Sequence, residues 1–232
     1  MFKKLKESEV EKGQEFERSL SRSDYFNDSY FGDTQLYSFV EQIKRIRKIL
    51  KNFDGEKEIK ILEVGKGNGF VSNFIKSMGF SVTTFDINSN LEPDVEGDVL
   101  ELSSYFSDSC FDLVLCSEVL EHMELNSFEK ALSEIQKVSK KYVFITLPEY
   151  KSFSGFHFLI RLFNKTKQIA FYLPTKPSYR MTPEHFWEID FDKHTTRKEI
   201  NLSLNKFFII LDSDRFKLNP NHSYFVMEVK NN

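Results

Sequence analysis

Three glycines at alternate positions, Gly65, Gly67 and Gly69, follow the apolar run around Ile61 and Val64, and Glu63 stands two residues before the first of them. Glycine lets a backbone turn tightly and lets a ligand approach where a Cβ would collide. The pattern is G-x-G-x-G. A dinucleotide fingerprint needs its third glycine at position 70, which is Phe70. The Glu63 carboxylate points negative charge toward the pocket, which suits a cationic or amine-bearing ligand better than a pyrophosphate. Asp86 closes the next apolar segment, where an open α/β sheet has its ligand crevice. A carboxylate there accepts both hydroxyls of a ribose, at about 1.5–3 kcal/mol for each charge-assisted bond. Asp98, at the following expected strand end, is placed to take a base amino group. The three acids together offer partners for an amino-acid moiety, a ribose and an adenine, and no cradle for phosphate.

A second cluster lies in Ser117-Glu118-Val119-Leu120-Glu121-His122-Met123. On a helix, the steps in E-x-x-E-H put Glu118, Glu121 and His122 on one face. Such a carboxylate and imidazole cluster can hold a divalent cation. A metal-free pocket in which the histidine lines the ligand is equally consistent with the motif and is the favoured reading, so metal binding stays open.

The elements that must position these groups are read from periodicity. Leu36, Phe39, Val40, Ile43, Ile46, Ile49 and Leu50 recur at helical steps over 34–51. Strands are expected at 59–64, 81–86, 111–116 and 142–148, with helices from the glycine turn to about Met78, from about Val119 and over 127–139. Between 87 and 110 there is room for a short strand near Val95 to Val99 but not for a crossover helix, and Pro93 argues against one. Strands alternating with helices give a parallel sheet covered on its faces. A helix near 196–205 precedes two strands close enough to pair antiparallel.

With 29% charged and 40% hydrophobic residues the composition is that of a soluble globular protein. No apolar run approaches the roughly 18 residues of a membrane span. The N-terminal stretch lacks an apolar core and cleavage site, so secretion is not expected. Cys110 and Cys116 show no disulfide or zinc spacing, which suits a cytoplasmic setting. Between Asp86 and Glu134 the sole base is Lys130, whereas Lys151, Arg161, Lys165, Lys167, Lys176 and Arg180 crowd the next segment. No uniform nucleic-acid face results, and nucleic acid is not expected as a partner.

The run from Ile61 to Phe70, Asp86, the stretch Gly97-Asp98-Val99-Leu100 and the run from Phe111 to His122, in that order, resemble the class I S-adenosylmethionine-dependent methyltransferases. The resemblance covers about 59–148. It implies a Rossmann-like parallel sheet with helices on both faces and a terminal antiparallel strand pair, as one domain with a lid insertion. The parts are an N-terminal helical extension (1–58), a cofactor-binding core (59–148), a lid or acceptor insertion (149–193) and a C-terminal completion (194–232). It further implies S-adenosylmethionine as cofactor. Glu63, Gly65, Lys66 and Gly67 would lie on its methionine side, Asp86 on the ribose, and Ile87 on the adenine. Asp98 and Val99 would meet the adenine edge, and Cys116 with Ser117 would follow the fourth strand. Lys66 departs from the family, where the position is small or acidic.

The E-x-x-E-H segment is similar to that of ubiquinone-pathway O-methyltransferases and RNA 3′-end 2′-O-methyltransferases. In those families a further histidine completes a metal site, for which His185 is the candidate, with His157 and His194 behind it. The expected activity is methyl transfer to a small-molecule acceptor, at oxygen because His122 and His185 offer bases for a hydroxyl. A cofactor-binding regulator or partner subunit without catalysis, and an RNA-modifying enzyme, are the alternatives. The aromatic and basic insertion reads as a lid over an acceptor with apolar and anionic parts, touching a membrane surface transiently, or as a helix sealing the core. Trp187 lines the mouth or anchors the lid. Tyr25, Phe26, Tyr30 and Phe31 are within reach of the pocket.

Overall fold

The computed structural model describes residues 13, 15–28, 31–53, 58–177, 181 and 184–230. The first twelve residues, Tyr30 and Arg180 lie outside them.

Seven strands form one sheet: β1 (Lys60–Val64), β2 (Ser81–Asp86), β3 (Val95–Glu96), β4 (Phe111–Ser117), β5 (Ser139–Pro148), β8 (Phe208–Arg215) and β9 (His222–Val229). Their order is β3-β2-β1-β4-β5-β9-β8. The first five run parallel, and β9 is antiparallel to both β5 and β8. The central strands are buried on both faces, which is why β4 reads as an almost unbroken apolar run.

Alternation along the strands sorts side chains into two cores. Ile61, Leu113, Leu115 and Phe144 meet Ile46, Ile49, Val71 and Ile75 from the helices Asp33–Leu50 and Phe70–Ser77. Leu62, Val64, Val114, Cys116 and Ile145 meet Ala131, Leu132, Ile135, Ile200 and Leu204 from the helices Phe128–Val138 and Arg197–Phe207. The sheet is thus covered on both faces.

Three local expectations are corrected. The helix from Val119 shrinks to a 3-10 turn over Leu120–His122. Glu118 has φ 53 and Val119 φ −127, so the chain leaves β4 through a sharp bend, and the three motif residues share no helix face. The strand near Val95 ends at Glu96, and Asp98 caps a 3-10 turn at Val99–Glu101 by accepting from the Leu100 N–H at 2.9 Å. The insertion is a β-hairpin, β6 (Ser152–Leu162) paired with β7 (Lys165–Thr175), rather than a helix sealing the core. As expected, no crossover helix follows β2; a 3-10 turn at Ser89–Leu91 takes its place.

Candidate active site

The carboxyl ends of β1, β2 and β4 open into one cleft of about 520 Å³. β1 carries Glu63 and ends at Val64, and the chain turns through Gly65 (φ 79), Gly67 (φ 51) and Gly69 (φ 71), the last capping the helix Phe70–Ser77. A Cβ on Gly65 would fall 2.2 Å from Val119 Cγ2, so the bend after β4 and the glycine turn interlock. The Gly67 N–H donates to Asp86 Oδ2 at 3.2 Å and the Asn88 N–H to Oδ1 at 2.9 Å. An ionised carboxylate has about four lone-pair sites, so Asp86 keeps capacity to accept from a ligand.

Burial pushes the Asp86 carboxyl up and the charge of Glu17 adds to this, against backbone bonds from Asn88, Gly67 and Lys66. Glu63 is pushed up to about 7, by burial first and also by the charge of Asp86, with Ser72 opposing. Its Oε2 is buried and bonded to nothing in the protein among the described residues. An unpaired buried oxygen costs about 1–3 kcal/mol, a cost that a ligand ammonium group would remove. The donor set therefore fits an amino-acid-bearing nucleoside.

Gly65, Lys66, Gly67, Asp86, Ile87, Asp98, Val99 and Ser117 all line this cleft, as does Glu63. Cys116 does not. Its register in β4 turns the thiol into the core beside Val114, where burial raises its pKa well above that of an ordinary thiol. Lys66 lines the cleft but spends its ammonium on the carbonyls of Leu91 (2.6 Å) and Glu92 (2.5 Å). It ties down the turn that stands where a crossover helix would be, which accounts for a lysine at this position.

Glu118, Glu121, His122, His185 and His222 also line the cleft. His122 and His185 stand edge to face with ring centroids 5.0 Å apart. The His122 Nδ1 lies 3.1 Å from Glu17 Oε1, and Tyr25 donates to Glu17 Oε2 at 2.8 Å. Burial opposes charge on His122, but the bond to Glu17 and the nearby Glu121 and Glu118 carboxylates raise it to about 9. His185 is likewise raised: burial opposes, while the bond from Nδ1 to Glu188 Oε1 (2.9 Å) and the charge of Glu121 prevail. Glu121 is fully buried, neither of its oxygens has a protein partner among the described residues, and burial followed by Glu118 pushes it up to about 8. One ligand atom from each of Glu121, His122 and His185 lies within 4.8 Å of the others. Glu118 is not among them; its Oε1 faces His222 Nδ1 at 3.6 Å.

His157 is exposed on the hairpin, bonded to Gln168 at 2.8 Å; neither it nor His194 lines the cleft. Trp187 is an anchor. It is buried against Phe128 and donates to the Met123 carbonyl at 3.1 Å, which fixes the segment bearing His185. Sequence reading missed Glu17, His222 and the helix residues Gln35, Phe39 and Gln42, all of which line the cleft. Tyr25 reaches it, while Phe26 is exposed. The segment bearing Glu17 is strapped down by Asn88 Nδ2, which donates to the carbonyls of Glu17 (2.7 Å) and Leu20 (2.9 Å). No residue between 150 and 177 lines the cleft, so the hairpin does not cover it.

Residues 62–145 match the family model described as a methyltransferase domain. An uncharacterized protein of Methanocaldococcus jannaschii is 34% identical over 114 residues, covering 45% of this chain and 48% of that one. The ubiquinone biosynthesis O-methyltransferase of Rickettsia bellii is 28% identical over 152 residues, 61% of each chain. The chain thus spans about half to three-fifths of the curated relatives it matches.

Among solved structures, an N-methyltransferase, NodS, from Bradyrhizobium japonicum in complex with S-adenosylhomocysteine superposes with a TM-score of 0.57 at 11% identity, covering 96% of this chain and 100% of the other. A Burkholderia thailandensis 1,6-didemethyltoxoflavin N1-methyltransferase, with that compound and S-adenosylhomocysteine bound, gives 0.56 at 17%, covering 90% and 87%. At these identities the structural likeness speaks for the fold. No helix among the described residues is long and apolar enough to cross a membrane.

Proposed function

We propose that the chain, whose residues 62–145 match a methyltransferase domain, is an S-adenosylmethionine-dependent methyltransferase that transfers the methyl group of this cofactor to a small-molecule acceptor, at oxygen. One observation carries the reading: a single cleft joins the Glu63 and Asp86 carboxylates at the strand ends to the buried Glu121, His122 and His185 cluster. When bound, the cofactor supplies a methyl group activated on a sulfonium. What the chain must add is alignment, worth about 7–11 kcal/mol when good, and a destination for the acceptor's proton. Glu63 takes the cofactor's ammonium group and Asp86 its ribose hydroxyls. His122, held as an imidazolium by Glu17, is not a free base. As pH rises toward about 8 and Glu121 ionises, its unbonded oxygens accept the acceptor hydroxyl's hydrogen bond and, on transfer, its proton.

A second reading is favoured by the same orphaned carboxylate. A divalent cation held by Glu121, His122 and His185 would satisfy it and would act as a Lewis acid on the acceptor oxygen. Exhaustive chelation followed by metal addition separates the two: transfer lost and restored supports the cation, and transfer retained supports Glu121 alone. The overall proposal is tested by calorimetry with S-adenosylhomocysteine together with transfer of labelled methyl into small molecules of a cell extract. Tight uptake with no labelled product would mean a binding protein without catalysis, and no uptake would defeat the proposal.

A further inference from the structure

The β6–β7 hairpin has two unlike faces. Strand alternation puts Phe153, Tyr172, Ala170 and Gln168 on one of them, where all four are half-buried. That face leans on the body: the Tyr172 hydroxyl donates to the Lys217 carbonyl at 2.6 Å, Lys44 donates to Gln168 at 3.2 Å, and Arg215 lies over the Phe153 ring at 5.1 Å. The other face carries Phe156, Phe158, Ile160, Ile169, Phe171 and Leu173, all exposed. Register pairs Phe156 with Phe171 and Phe158 with Ile169, so the apolar side chains form one continuous strip. The strip runs to the apex, where Leu162 is 62% exposed and Phe163 97%. Phe163 (φ 47) and Asn164 (φ 61) occupy both left-handed positions of the tight turn. A bulky aromatic there is costly, and it is spent on pointing a phenyl ring into solvent.

Charge identifies what covers the strip. From Tyr150 to Pro177 there is no acid, while Lys151, Arg161, Lys165, Lys167 and Lys176 are all basic. Arg161, Lys165 and Lys167 form a collar directly behind the apolar apex. Such an arrangement matches the boundary of a lipid layer, in which apolar side chains enter the acyl region while long cationic side chains reach the phosphates. A two-fold contact with a second copy would instead bring Lys165 and Lys167 toward their counterparts with no acid in the hairpin to pair them.

We propose that the β6–β7 hairpin is a peripheral membrane anchor that docks its Phe163 apex and outward apolar strip on an anionic bilayer surface. The anchor acts apart from the cleft, since no hairpin residue lines it. The experiment is co-sedimentation of the full chain with phosphatidylcholine vesicles, with and without phosphatidylglycerol, at low and high salt. Binding is expected with the anionic vesicles alone and is expected to weaken with salt. The exposed substitutions Lys165→Gln and Lys167→Gln should each lower the partition coefficient about fivefold. Phe163→Asn, which suits the turn better than the native residue, should lower it several-fold with cofactor affinity unchanged and the thermal midpoint equal or higher. No partition onto anionic vesicles, or partition indifferent to these substitutions, overturns the proposal. So does sedimentation velocity showing a dimer that Phe163→Asn dissolves, which would assign the strip to a second copy.

Discussion

Two carboxylates at neighbouring strand ends sit in different environments. Asp86 is pre-bonded by two backbone N–H groups and keeps free lone pairs. Replacing it with alanine should weaken cofactor affinity by roughly one to two orders of magnitude; calorimetry with S-adenosylhomocysteine measures this, and unchanged affinity would remove the ribose assignment. Glu63 holds an orphaned oxygen and titrates at about 7 instead of 4.5. The ligand-free fold therefore prefers its neutral form. That preference stabilises the fold fully below pH 4.5 and is lost as pH rises toward about 7. An ammonium group requires the ionised acid, so binding should release a proton below about 7 and affinity should rise by up to tenfold per pH unit as pH climbs toward that value. Calorimetry in two buffers of different ionisation heat reads the proton directly; a pH-independent affinity would show that Glu63 meets no cation. Both acids were legible in the sequence because each needs only a strand end and a glycine bend beside it. Glu17 was not. It reaches His122 only because Asn88 straps its segment across the cleft, and nothing local in a charge-mixed stretch signals a partner so distant in the chain.

At the scale of elements, the turn at Ser89–Leu91 does the work of a missing helix and depends on Lys66. Lys66→Met keeps the stem and removes both bonds to the carbonyls. It should cost about 1–3 kcal/mol in chemical denaturation and should speed amide exchange in residues 87–92; protection equal to the wild type would show that the rim stands without it. The lack of a crossover helix was readable from Pro93 and the short spacing. Two other elements were not readable in their observed form. After β4 the apolar spacing of Val119, Leu120 and Met123 mimics a helix, but a left-handed Glu118 and the packing of Val119 over Gly65 stop it at one turn. The hairpin was obscured because Leu159 interrupts the alternation of Phe156, Phe158, Ile160 and Leu162. The alternation and the turn at Asn164 were the available signal.

Across the whole molecule, Glu149 is the node that ties the insertion to the sheet. It is fully buried, accepts from Arg215 Nε at 2.7 Å and is also bonded by Arg197 and Ser223, linking the end of β5 to β8, β9 and the helix between. Removing one partner of a buried ion pair is strongly destabilising. Glu149→Gln should cost about 3 kcal/mol, toward the low end because both guanidinium groups reach solvent. Urea unfolding checks this, and a loss within error would show the node to be dispensable. The parallel core was foreseeable because central strands are apolar on both faces, whereas the placement of β9 between β5 and β8 depends on pairing between distant segments. That placement has a consequence during synthesis. β5 and β8 are both translated before the strand that separates them, so each presents an open row of backbone donors and acceptors to other chains, or to each other in a wrong register, until residues 222–229 arrive. Until β9 is in place the sheet is incomplete, and both of these edges are open to mispairing.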